Sequence, residues 1–160
     1  MAWTRSVMVG MLAVHLVVPT AAFAQPNAQN NALALSIVSA WQNSSHAPTP
    51  EARAQKIEEA LALAVPANPW PFREPTRDDL LGRMWGQLAN EYRRVEGANR
   101  PAALERALTA YQQALTHIKG GADLARVHYG LGQVYLDRIP GERTQNIKRA
   151  IAAFNAAAVI

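Results

Sequence analysis

Catalysis near neutral pH needs a nucleophile, a proton carrier or a metal-binding set, and this chain is poor in all three. It has no cysteine, which removes a thiol nucleophile, a thiolate zinc site, a disulfide framework and a lipid-modified cysteine anchor. Beyond residue 24 the histidines are His46, His117 and His128; none has a second ligand at metal-site spacing, and no H-E-x-x-H pattern occurs. Neighbouring carboxylates act as acid and base only where burial separates their pKa values. Glu58 and Glu59 stand near Lys56 and read as a solvated face. Asp78 and Asp79 fall in a first helical turn, where negative charge favours the helix dipole. Ser36, Ser39, Ser44 and Ser45 belong to no G-x-S-x-G elbow, and no phosphate-cradling glycine loop is present. These residues predict no enzyme activity, no cofactor and no metal. Recognition is left as the function to look for.

Composition narrows the class. Apolar residues make up 49% of 160 residues, enough for a core, and alanine, the best helix former, is abundant from Ala28 onward. Alternating Val, Ile and Thr runs are missing, so strands are not expected. Residues 1–24 have the three parts of an export signal. Arg5 gives a positive start, residues 7–18 are largely apolar, and Ala22-Phe23-Ala24 places small residues at the cleavage positions. Cleavage is expected after Ala24, giving a periplasmic or secreted chain without stable membrane insertion, since the apolar run is shorter than the roughly 20 residues of a spanning helix. Cleavage removes Arg5 alone and lowers the net charge from +4 to +3. That charge is modest and no basic-aromatic RNA motif occurs, so nucleic acid is not an expected partner.

The elements that must carry recognition are visible as a repeat. Trp85, Leu88, Ala89 and Tyr92 return as His128, Leu131, Gly132 and Tyr135, each 43 residues on. Arg100, Leu104, Arg106, Ala107, Tyr111 and Ala114 return as Arg143, Ile147, Arg149, Ala150, Phe154 and Ala157 at the same offset. A constant period of this size across two segments signals stacked supersecondary units. Leu81, Met84, Trp85, Leu88, Tyr92 and Val95 recur at three- and four-residue steps, predicting a helix over 76–96 with Thr76 as N-cap and Gly97 in a left-handed stop. A second helix starts near Pro101, buries Leu104, Ala107, Leu108, Tyr111, Ala114 and Leu115, and stops at Gly120-Gly121. The second unit repeats this, with Pro140-Gly141 as the turn and Thr144 as an N-cap. Ala89 facing Ala107, and Gly132 facing Ala150, would let the paired helices approach to roughly 8 Å. His128, in the place of Trp85, is a packing residue.

The spacing W-x2-L-A-x2-Y followed by A-x3-Y-x2-A resembles the tetratricopeptide repeat (TPR) family. The units are longer than that family's standard repeat, and residues 137–146 resemble the loop of a longer bacterial variant. The resemblance implies an all-α fold of stacked antiparallel hairpins and a protein-binding role. In such folds the first helix of each unit lines a concave groove. Here that face would present Arg83, Gln87, Asn90 and Arg93, then Arg126, Tyr129 and Gln133. Asn90 resembles an asparagine that some TPR domains use on a bound peptide backbone or terminal carboxylate. Arg83, Arg93 and Arg126 favour an acidic protein or peptide partner through charge-assisted hydrogen bonds.

Residues 25–64 read as a degenerate further hairpin, with Thr49-Pro50-Glu51 as a helix start. Ile57-Glu-Glu-Ala60 aligns with Leu104-Glu-Arg-Ala107 at an offset of 47. Residues 65–75 hold four prolines, which forbid a helix and favour a stiff connector, with Trp70 and Phe72 tucked against the unit that follows. The two clear repeats occupy 76–160. The last helix ends in Ala156-Ala157-Ala158-Val159-Ile160 without a polar capping helix. Such an end is expected where the chain is part of a longer array, where the last helix packs on another molecule, or where Trp70-Pro71-Phe72 folds over part of it. Two alternatives to a peptide-binding adaptor are self-association into a homo-oligomer through that helix, or a role as the N-terminal arm of a larger enzyme.

Overall fold

The computed structural model describes residues 28–137 and 143–160. The expected export signal and the Pro140-Gly141 turn lie outside the described residues. Six α-helices are present among the described residues: α1 (Ala28–Ser44), α2 (Pro50–Ala64), α3 (Arg77–Arg93), α4 (Arg100–His117), α5 (Gly121–Asp137) and α6 (Arg143–Ala158). Each helix packs on the next, and α3 also touches α5. The result is an all-α stack of three antiparallel hairpins, α1–α2, α3–α4 and α5–α6. No helix among the described residues is long and apolar enough to cross a membrane.

Local sequence sets the helix boundaries. Thr49 and Thr76 cap α2 and α3, their side chains accepting from the amides of Ala52 and Asp79 at 3.2 and 3.3 Å. The Thr76 hydroxyl also donates to the Asp79 carboxylate at 2.6 Å. The shorter aspartate thus meets the cap hydroxyl, where a glutamate would reach back to the cap amide. Helix α3 stops at Arg93, earlier than expected, and Gly97, at φ 73°, opens a short 3-10 turn before α4. Helix α4 ends at His117, ahead of the glycine pair, and Gly121, at φ 70°, begins α5. Thr144 lies inside α6, which begins at Arg143, so it is not the cap.

The repeat is built in three dimensions as it is in sequence. The Arg106 guanidinium lies 5.7 Å from the centre of the Tyr92 ring, and Arg149 lies 5.9 Å from that of Tyr135. This cation–π contact therefore recurs between the same two positions of both hairpins. Leu88 and Leu131 are both buried, as are Ala107 and Ala150. The nearest neighbour of Gly132 is the Phe154 ring, not Ala150; a Cβ added there would lie 2.7–2.9 Å from ring carbons. Glycine is needed at 132 to seat an aromatic side chain.

The first hairpin belongs to the stack with two registers. Buried Ala34, Ile37, Trp41 and Ser44 of α1 correspond to buried Leu81, Met84, Leu88 and Glu91 of α3, each 47 residues on. Buried Ala54, Ile57, Ala60, Leu61 and Ala64 of α2 correspond to Leu104, Ala107, Ala110, Tyr111 and Ala114 of α4, each 50 residues on. The offset of 47 expected for the second helix is therefore corrected by about one turn, because α3 runs two residues further past Glu91 than α1 does past Ser44 and the link that follows is one residue longer. The connector is not helical. Phe72 is buried, and half-buried Trp70 stacks on it at 5.2 Å. Arg77 donates to the Val65 and Ala67 carbonyls and lies 5.9 Å from the Trp70 ring centre, tying the connector to the start of α3.

Candidate functional site

The residues expected to line a groove lie on α3 and α5, helices that touch each other. Their roles divide. Arg83 reaches Asp123 of α5 at 3.4 Å, and Arg126 pairs with the same carboxylate. Two exposed guanidiniums thus share one carboxylate. Asp123, the pivot of this cluster, was not expected from sequence. Its pairing with Arg126 is readable from a three-residue helical spacing, but its pairing with Arg83 is a tertiary contact.

Two amides of the expected groove already have partners within the stack. The Trp41 indole donates to Gln87 Oε1 at 2.6 Å, and Gln87 Nε2 lies 3.5 Å from Ser44 Oγ. Gln87 thereby joins α3 to α1. The Tyr111 hydroxyl donates to Asn90 Oδ1 at 2.7 Å, joining α4 to α3. Arg93 stands beside Tyr111, and its Nε is buried without an acceptor. Burial pushes the Tyr111 pKa up, and the nearby Arg93 and Arg94 charges oppose that rise.

Tyr129 is exposed and packs against Phe154 of α6, ring centres 5.5 Å apart. With Ala157 and Ala158 these two rings line an open, mainly apolar depression on the last hairpin. Gln133 occupies the position of Asn90 one unit later. Its Oε1 is buried without a donor, since Phe154 stands where Tyr111 supplies a hydroxyl. The expected groove residues therefore fall into three places: a charged face at Arg83 and Arg126, a junction at Gln87, Asn90 and Arg93, and an end surface at Tyr129 and Gln133.

Other polar groups are paired across the stack. Glu58 is exposed, as expected of a solvated face, and also accepts from the Tyr92 hydroxyl; burial first, then Glu58, pushes the Tyr92 pKa up, and Arg106 opposes this. Glu91 is a buried carboxylate held by Arg53 Nε at 2.7 Å and Arg94 Nη1 at 2.8 Å. His117 Nδ1 lies 2.8 Å from Asp78 Oδ1. No group of three or more His, Asp or Glu able to hold a metal ion occurs among the described residues.

Fold and site together define a short helical-repeat protein whose distinctive surfaces are the Arg83–Asp123–Arg126 cluster and an exposed apolar end. No protein-family model matches the chain, and neither the curated proteins nor the solved structures contain a significant match.

Proposed function

We propose that this chain is a TPR-like interaction module that binds another protein or peptide and has no catalysis of its own. The reading is carried by one observation: Arg83 and Arg126, on adjacent helices, share the single carboxylate of Asp123 and remain exposed to solvent. A carboxylate on a bound segment would satisfy the second guanidinium by a charge-assisted hydrogen bond. An acidic peptide laid along α3 and α5 is the partner this charge pattern favours. The export-signal features of residues 1–24 put that partner in the periplasm or outside the cell.

Fluorescence anisotropy with a labelled oligoglutamate peptide tests the reading. Binding should weaken as salt rises, because exposed charges are screened. It should be lost in the Arg83→Glu, Arg126→Glu double variant. Equal affinity in the double variant and the parent chain would defeat the proposal.

A further inference from the structure

Helix α5 carries an aspartate near each end, and the two are held differently. Asp137 lies in the last turn, where the helix dipole opposes a negative charge, and Arg100 Nη2 donates to it at 2.8 Å. Asp123 lies in the first turn, where the dipole favours the charge without any arginine. Arg126, three residues on, donates from Nη1 to Asp123 Oδ1 within the same helix. Arg83 of α3 only approaches. Its Nε stands 3.4 Å from Asp123 Oδ2, beyond the roughly 2.7–3.2 Å of an N–H···O hydrogen bond.

Arg83 therefore meets Asp123 as a charge without a charge-assisted hydrogen bond to it. Asp79, one turn earlier on α3, is not a rival partner, because it accepts from the Thr76 hydroxyl at 2.6 Å. The Arg83 and Asp123 side chains are 48% and 36% exposed, so a ligand can reach both. A carboxylate brought by a ligand is free to lie side-on to the guanidinium and take two parallel hydrogen bonds. Asp123, fixed by its own helix turn and by Arg126, has no such freedom. Exposed ion pairs are weak, so parting Arg83 from Asp123 costs a ligand about fivefold in affinity at most.

We infer that Asp123 is a built-in competitor for Arg83. An acidic group of the ligand takes Arg83 by exchange, while Asp123 stays with Arg126 at the start of α5. On the acidic-peptide reading of the groove, on which this depends, Asp123 sets how well a ligand must fit. It repels any anion that approaches without forming the two hydrogen bonds to Arg83. The groove is thereby selective for a carboxylate placed to align with that guanidinium, and not for negative charge alone.

The test uses the full chain and a labelled oligoglutamate peptide, read by fluorescence anisotropy, with circular dichroism confirming that each variant folds. Asp123→Ala and Asp123→Asn should each bind about threefold tighter than the parent chain. Most of that gain should vanish when Arg83→Gln is also present, because the competition is for that guanidinium. A gain that mostly persists beside Arg83→Gln would mean that Asp123 acts by its charge at a distance, and the inference would fall. Arg83-dependent binding that both Asp123 substitutions leave unchanged or weaken would also overturn it, with the acidic-peptide reading left standing. Arg83-dependent binding by Asp123→Ala where the parent chain shows none would support it. Absence of Arg83-dependent binding in the parent and in both Asp123 variants would end the reading and the inference together.

Discussion

Replacing Glu91 by alanine should be among the most damaging single changes in the chain. Its carboxylate is 6% exposed and holds two guanidiniums, Arg53 from α2 and Arg94 from its own helix end, at 2.7 and 2.8 Å. Arg53 also donates to the Ala47 carbonyl at 3.1 Å, so the pair joins the α1–α2 link and α2 to α3. Removing one partner of a fully buried ion pair costs about 3–5 kcal/mol, because the other charge is left without compensation. Arg53 is 21% and Arg94 56% exposed, so water relieves part of that penalty, and about 2–3 kcal/mol is expected. Urea unfolding followed by circular dichroism should show a midpoint lowered by roughly 1–2 M with an unchanged slope. The second half of the test removes both charges. Val134 fills the position corresponding to Glu91 one unit later and is fully buried there. The Arg53→Leu, Glu91→Val double variant should therefore lie within about 1 kcal/mol of the parent, since a packed apolar pair replaces a desolvated ionic one. A loss under about half a kcal/mol for Glu91→Ala, or a double variant as unstable as the single, would refute this account of the hairpin junction.

Further outcomes follow from the same contacts. Leu88→Ala and Leu131→Ala should each cost about 2–5 kcal/mol in urea unfolding; a loss below about half a kcal/mol at both would remove the buried stripe. Tyr111→Phe should cost about 1–3 kcal/mol by leaving the Asn90 carbonyl without its donor, measurable as a lowered melting temperature. Tyr92 and Tyr111 both hold their protons more tightly when folded than the ordinary value of 10.0. Their contribution to stability is therefore intact below that value and declines as pH rises through the raised folded values. Melting temperatures measured from neutral to strongly alkaline pH should fall above that point, less steeply in Tyr111→Phe. Gly130→Ala should destabilise by about 1–3 kcal/mol despite alanine's better helix propensity, because the added methyl group overlaps the Tyr111 ring.

What could be read in advance was what local rules govern. The threonine caps, the spacing of Leu81, Met84 and Leu88, and the 43-residue return of Tyr92 and Tyr135 all follow from helix geometry within one hairpin. The partners of the groove amides could not be read the same way. Gln87 is held by Trp41 and Asn90 by Tyr111, and both bonds depend on how one helix is set against another. The α2 register differs for a related reason: Ile57-Glu-Glu-Ala60 matches by residue type at one offset, while the buried face fits another one turn away. Helical similarity at a four-residue motif is satisfied by neighbouring turns, and only packing separates them.

The differences between the two long repeats fall where this physics puts them. Several positions that pack within a hairpin keep their character, namely Leu88 with Leu131, Ala107 with Ala150, and the paired Tyr92–Arg106 and Tyr135–Arg149 contacts, whereas the Tyr111–Asn90 bond gives way to Phe154 and Gln133. Positions that face the neighbouring hairpin change. Glu91 meets Arg53, whereas Val134 is buried by apolar packing; Gly86 admits Val127, whereas Tyr129 stands in the open. Each hairpin must close on itself in the same way, but each boundary answers to a different neighbour. A cysteine pair placed across each boundary would test this division. Native-state thiol labelling should report opening at the α2–α3 boundary in Glu91→Ala, while the α4–α5 boundary, seated by Gly130 on Tyr111, stays protected. Equal opening at both would mean that the stack yields as one unit and that its boundaries are not independent.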